Sequence, residues 1–187
     1  MPADIATSLE REEIHLRRIE VRAFRRADGL YDIEARMVDT KSHPFQGPAV
    51  PLLPAGARLH DIGVRLVIDD HLRVHEASGL TEAAPFADCR DAAGALATLK
   101  GLTIGAGWQR AVRERLGGAQ GCTHMLELLA PIATTAFQAL APIRFTRPEP
   151  LDASGRPKKI GSCYAYGAER EAVLKRWPAF YEGTKRG

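Results

Sequence analysis

The sequence predicts an α+β domain: an N-terminal β-hairpin and an antiparallel sheet of about four strands, with about three helices packed on one face. Three observations lead there. Apolar and polar residues alternate through residues 16–39 and again through 61–78, and a period of two marks half-buried strands. Between Asp88 and Leu140 the apolar spacing changes to that of helices. A run of strands followed by a run of helices is the pattern of segregated layers.

In chain order, residues 1–15 are polar and read as a frayed end or a short helix. Residues 16–24 place Ile19, Val21 and Ala23 on one face and Arg18, Glu20 and Arg22 on the other. Asp28-Gly29 is a hairpin-turn pair, because the turn needs positive φ. Residues 30–39 then return with Ile33, Ala35 and Met37 inward, so 16–39 is a hairpin. Residues 42–58 hold four prolines and are expected to form an irregular connection, since proline removes donors and restricts its neighbour.

The core is expected in 61–140. Ile62, Val64, Leu66 and Ile68 form one strand face, and 72–78 return after Asp69-Asp70-His71. The loop GLTEAAPFAD leads to Cys89 and a first helix with Ala92, Ala93, Leu96, Leu99 and Leu102 as its stripe. Trp108, Ala111, Val112 and Leu116 mark a second helix, closed by Gly117-Gly118. The third buries Met125, Leu129, Ile132, Ala133, Ala136, Phe137 and Leu140, with Pro131 expected to kink or break it. Residues 141–187 read as an extended segment, with the closing KRWPAFYEG docking back. The whole of 1–187 is read as a single domain.

Composition narrows the function classes. The chain has 187 residues, long enough for a sizeable core. Net charge is +3, but Arg17, Arg18, Arg25, Arg26, Arg110, Arg113 and Arg115 are scattered and not interleaved with aromatics, which argues against nucleic acid. Three cysteines are too few and odd for a disulfide framework, pointing to a reducing compartment and a cytoplasmic protein. No apolar run reaches membrane-span length, and MPADIATSLEREE lacks a signal-peptide core, so no membrane partner is expected. The partner is read as a small molecule or a metal-handling protein, and self-association into a homo-oligomer is compatible with this composition.

The candidate chemistry lies at element starts. Cys122-Thr123-His124 opens the third helix, where backbone N–H groups and the helix dipole favour a thiolate. Cys89 opens the first helix, with Asp88 as a capping candidate and the nearby carboxylates opposing a thiolate. His60-Asp61 opens the third strand. Cys163 sits on a late loop, and His15, His43, His71 and His75 are in surface-like contexts with no role assigned. Thiolates and imidazoles suit borderline-soft metals. No phosphate loop, dinucleotide fingerprint, HExxH or GxSxG is present.

The strings RRADGLYDIEARMVDTK, HDIGVRLVIDD and GCTHMLELLAPIATTAFQ resemble an uncharacterised bacterial family, domain of unknown function family 2889. Residues 61–140 also resemble the iron–sulfur scaffold proteins of the IscU and NifU type. Under that resemblance Asp61, Cys89 and Cys122 fall at the scaffold's aspartate, middle cysteine and last cysteine. His124 falls near its histidine, and Lys100-Gly101 resembles its glycine-lysine turn in reversed order. The scaffold's first cysteine falls at Leu59, which cannot ligate, so the resemblance implies a single zinc or iron ion held by Asp61, Cys89, Cys122 and His124. Two readings follow: a metal-binding domain that handles metal or sulfur, and a small-molecule hydrolase or lyase whose chemistry is done by a metal-activated water or by Cys122 with His124. A non-catalytic interaction module with inert cysteines is the third.

Overall fold

The computed structural model describes residues 9–48 and 50–184. The expectation for residues 1–8 falls outside them, and 9–15 carry no helix. The chain divides into two compact units at the Leu140–Ala141 boundary.

The first unit is a four-stranded antiparallel sheet in the order β1-β2-β5-β6, with its helices on one face. β1 (Leu16–Arg25) and β2 (Tyr31–Thr40) form the expected hairpin, in register from Leu16 opposite Thr40 to Arg25 opposite Tyr31. Gly29 turns the chain at φ 86°, and Asp28 Oδ1 accepts from the Leu30 N–H. β1 is an edge strand covered only in part, so Ile19 stays 41% exposed although it faces inward.

The Pro-rich connection is more ordered than expected. It holds a small separate hairpin, β3 (Phe45–Gly47) and β4 (Val50–Leu53), with Phe45 opposite Leu53 and Gly47 opposite Val50. Pro44, Pro48 and Pro54 lie outside these strands, and Pro51 lies on an edge strand at the irregularity between the two register pairs, a position where proline is tolerated.

β5 (Arg58–Ile68) is central, paired to β2 and to β6 (Val74–Ala83). Ile62, Val64, Leu66 and Ile68 are buried under the helical layer, as the alternation predicts. β6 runs on through Gly79 to Ala83, residues expected in a loop. A Cβ on Gly79 would lie 2.6 Å from Leu96 Cδ1 and 3.2 Å from Met125 Cε. Gly79→Val is therefore expected to lower stability by about 1–3 kcal/mol through overpacking. Urea denaturation measures this, and an unchanged midpoint would show that the layer above β6 is loose.

The first expected helix forms as 3-10 turns over Ala87–Leu99. Ala93, Leu96 and Leu99 face the core at steps of three, the 3-10 repeat. Helix α1 (Trp108–Leu116) buries Trp108, Val112 and Leu116. Helix α2 (Thr123–Ala139) buries Met125, Leu128, Leu129, Ile132, Ala133 and Ala136 and crosses β1, β2 and β5. Of the two expectations for Pro131, a kink or a break, the break does not occur: the helix runs continuously through it.

The second unit is not an extended segment. It contains α3 (Ala141–Phe145), α4 (Glu171–Arg176), short 3-10 turns at Tyr164–Tyr166 and Pro178–Phe180, and a bridge between Leu151 and Pro157. It closes on itself through Gly161 N–H to Tyr166 O (2.7 Å), Glu182 N–H to Ala168 O (3.0 Å) and the ion pairs Arg176–Glu149 and Arg156–Glu182. Val173 is its fully buried apolar side chain.

Candidate functional site

The inward parity of the sheet carries polar residues at one end. Arg17 lies opposite Asp39, and Asp39 opposite His60, so the three form a row across β1, β2 and β5 on the helix-covered face. The start of α2 lies over this row and adds His124, whose ring centroid is 4.0 Å from that of His60 at an interplanar angle of 38°. One ligand-capable atom from each of Asp39, His60 and His124 lies within 4.8 Å of the others, and among the described residues this is the group of three or more such side chains that could hold a metal.

Asp39 is the hub and is 0% exposed. Arg17 grips it bidentately, Nε to Oδ1 and Nη2 to Oδ2, each at 2.8 Å. His60 Nδ1 lies 2.9 Å from Oδ2, and His15 Nε2 lies 3.4 Å from Oδ1. Arg17 Nη1 also reaches Glu127 Oε2 on α2 at 2.8 Å, tying the helix to the sheet. Burial pushes the Asp39 carboxyl up, but the hydrogen bonds from Arg17 and His60 and their charges outweigh it and hold the pKa at about 2. The carboxylate is ionised at any working pH. It fixes the His60 ring, leaving Nε2 as the second functional atom.

His124 is pushed below the ordinary histidine value, first by burial, then by the neighbouring His60 and Arg17 charges, against the pull of Asp39 and Glu127. A neutral imidazole keeps a lone pair free for a proton or a metal. Cys122 immediately precedes α2, with Sγ 3.9 Å from His124 Nδ1.

The sequence-based site is redrawn in part. Cys122 and His124 are together. Asp61 is not with them: successive strand residues point to opposite faces, so His60 faces the helices and Asp61 the far side. There Asp61 is clasped by Arg36 (Nε to Oδ1 and Nη2 to Oδ2, both 2.7 Å) and by Arg58. Its pKa is lowered, chiefly by Arg36, against burial. Cys89 lies half-buried in the 3-10 segment packed on β6, and all three cysteines are free thiols. No ligand group of three forms from Asp61, Cys89, Cys122 and His124 among the described residues.

An α+β domain with one helix-covered sheet face and an Asp/His/His cluster, its Asp39 and His60 buried and His124 half-buried, at the start of a helix is the class that fold and site define. Within it, the chain belongs to the family described as Protein of unknown function (DUF2889), whose model matches residues 15–138. The match contains the whole cluster and ends at residue 138, just short of the second unit, which begins at Ala141. No curated protein and no solved structure matches the chain. No described helix is long and apolar enough to cross a membrane.

Proposed function

We propose that the first unit binds one divalent transition-metal ion, zinc or iron, through Asp39, His60 and His124. The observation that carries this is the convergence of their three ligand atoms within 4.8 Å, from two adjacent tilted imidazoles and a buried carboxylate. Ligand bonds of about 2.0–2.2 Å place neighbouring donors roughly 3.3–3.5 Å apart, so modest ring rotations close the shell. A mixed imidazole and carboxylate set suits zinc and non-haem iron, and three protein ligands leave positions open for a substrate. Arg17 supplies the counter-charge to Asp39 in the metal-free state. A bound cation takes over that role, and Arg17 keeps Glu127.

The rival is nucleophilic chemistry by Cys122. The 3.9 Å approach of its sulfur to His124 Nδ1 favours it, because a neutral imidazole beside a thiol is the arrangement that activates it. A hydrolase or lyase fits either version. A cluster-scaffold role would need Asp61 as a ligand, and Asp61 is clasped by Arg36 and Arg58 on the other face of the sheet.

Elemental analysis of protein purified without an affinity tag tests the reading. The expected result is one equivalent of zinc or iron per chain, restored by titration after chelation. His60→Ala and His124→Ala should each weaken binding by about 10–100-fold or more, whereas Cys89→Ser and Asp61→Asn should retain the metal. Cobalt substitution then shows whether Cys122 joins the shell: a thiolate charge-transfer band makes it a further ligand, and its absence leaves the thiol outside the shell. Failure of the wild-type chain to take up any of these ions would overturn the metal site.

A further inference from the structure

The C-terminal unit lies outside the family match and carries a different surface. Residues 141–187 hold ten Lys and Arg against five Asp and Glu, a net charge of +5, while residues 1–140 hold 16 against 18, a net of −2. The whole positive excess of the chain therefore sits in its last quarter.

Its cations lie over aromatic rings. Lys159 Nζ is 4.9 Å from the centroid of Phe145 and 5.0 Å from that of Tyr166. The Arg176 guanidinium is 5.3 Å from Phe145 and 4.6 Å from Trp177. Tyr166 and Trp177 meet at 5.7 Å, which closes a ring of two cations and three aromatics. Beside it, Arg170 lies 4.2 Å over Tyr164. Tyr164 is 79% exposed and Phe145 59% exposed, so both rings keep open surface. This interleaving is invisible along the chain, because Phe145 and Arg176 are far apart in sequence.

We infer that this surface of the C-terminal unit binds single-stranded nucleic acid, with Tyr164 and Phe145 stacking on bases, Lys158 and Lys159 meeting phosphates, and Arg170 and Arg176 exchanging their present partners Glu169 and Glu149 for phosphates. Single strands alternate a planar base with an anionic phosphate, and proteins that bind them without reading sequence pair aromatic platforms with cations. A purely acidic partner would use the charges and leave the exposed rings idle. A lipid surface calls for an extended amphipathic helix, and α3 and α4 have only five and six residues. The inference is independent of the metal site.

Fluorescence anisotropy of the full chain with labelled oligo(dT) and oligo(rU) of about 15 nucleotides tests it. Four phosphate contacts on a single strand give a log–log salt slope of about −3, so affinity should fall roughly 50-fold between about 50 and 200 mM salt. Tyr164→Ala should weaken binding about tenfold, and the double variant Lys158→Glu with Lys159→Glu should abolish it. Tyr164 lies outside the closed ring and is largely exposed, so its variant is expected to melt with wild type, which circular dichroism checks. Absence of binding at the lower salt, or full affinity in Tyr164→Ala, would overturn the inference. So would equal binding of duplex, or capture by phosphatidylserine vesicles with no binding of oligonucleotide.

Discussion

Leu66→Asp is expected to leave the first unit unfolded at room temperature. Leu66 is 0% exposed on the central strand, with Ile33 of β2 on one side and Ala77 of β6 on the other. The substitution forfeits the burial of a leucine side chain, about 1.5–3 kcal/mol. It also places a carboxylate where the flanking inward residues are apolar; the neighbouring Arg65 points to the opposite face and pairs with Glu76. An unpaired buried charge adds several kcal/mol. The total is comparable with the roughly 5–15 kcal/mol that holds a typical domain folded. Far-UV circular dichroism and urea denaturation measure the outcome. Leu52→Asp is the control: Leu52 is exposed on β4, and its substitution should move stability by about 0.5 kcal/mol or less. A Leu66→Asp protein that melts with wild type would mean that the helical layer does not cover this face.

Much of the fold is legible because one rule, alternation, governs long strands with one buried face. The β1–β2 hairpin, the β5–β6 pair and the inward set Val64, Leu66 and Ile68 follow from it. Where several weak signals compete, legibility fails. Four prolines hide the β3–β4 hairpin, since its strands are short and both are edges. Gly79 reads as a loop residue, yet it lies in a strand because Leu96 and Met125 need the space a side chain would take. The C-terminal unit is opaque because its cohesion comes from ring and ion pairs between distant residues, as between Phe145 and Arg176.

The site shows the same division. Cys122 and His124 are recognisable as a pair at a helix start. Asp39, Arg17 and His60 carry a signal that the parity of their strands contains: Arg17 continues the inward series Ile19, Val21, Ala23. Asp39 continues Ile33, Ala35, Met37, and His60 precedes Ile62, Val64, Leu66. A polar residue on an apolar parity must be satisfied inside, and three of them at one end of a sheet define a cluster. The same parity sends Asp61 outward. Its nearness in sequence to His60 is what makes it a misleading ligand.

Asp39→Ala is expected to cost about 3–5 kcal/mol, towards the lower end, and to abolish metal uptake. Removing the carboxylate strands the Arg17 guanidinium and the His60 ring beside a buried vacancy, although Arg17 retains Glu127. Asp39→Asn keeps the shape and removes the charge, so it isolates the electrostatic part. In metal-free protein that part is readable against pH. The folded pKa of about 2 lies below the ordinary 3.8, so the unfolded chain takes up the proton first. The stabilisation is complete above about pH 4 and is lost as pH falls towards 2, about 2 kcal/mol in all. His124 acts in a higher window with the same sign. Its depressed folded pKa means that the unfolded chain protonates first, so stability declines as pH falls below the ordinary histidine value of 6.5. Urea midpoints of wild type should therefore fall in two stages. His124→Gln should remove the upper stage, and Asp39→Asn should flatten the lower one relative to wild type, leaving the contribution of Asp61 and the other paired carboxylates. An Asp39→Asn protein with the acid limb of wild type would show that the Arg17–Asp39–His60 row carries no net charge stabilisation, and that the cluster is held by packing under α2.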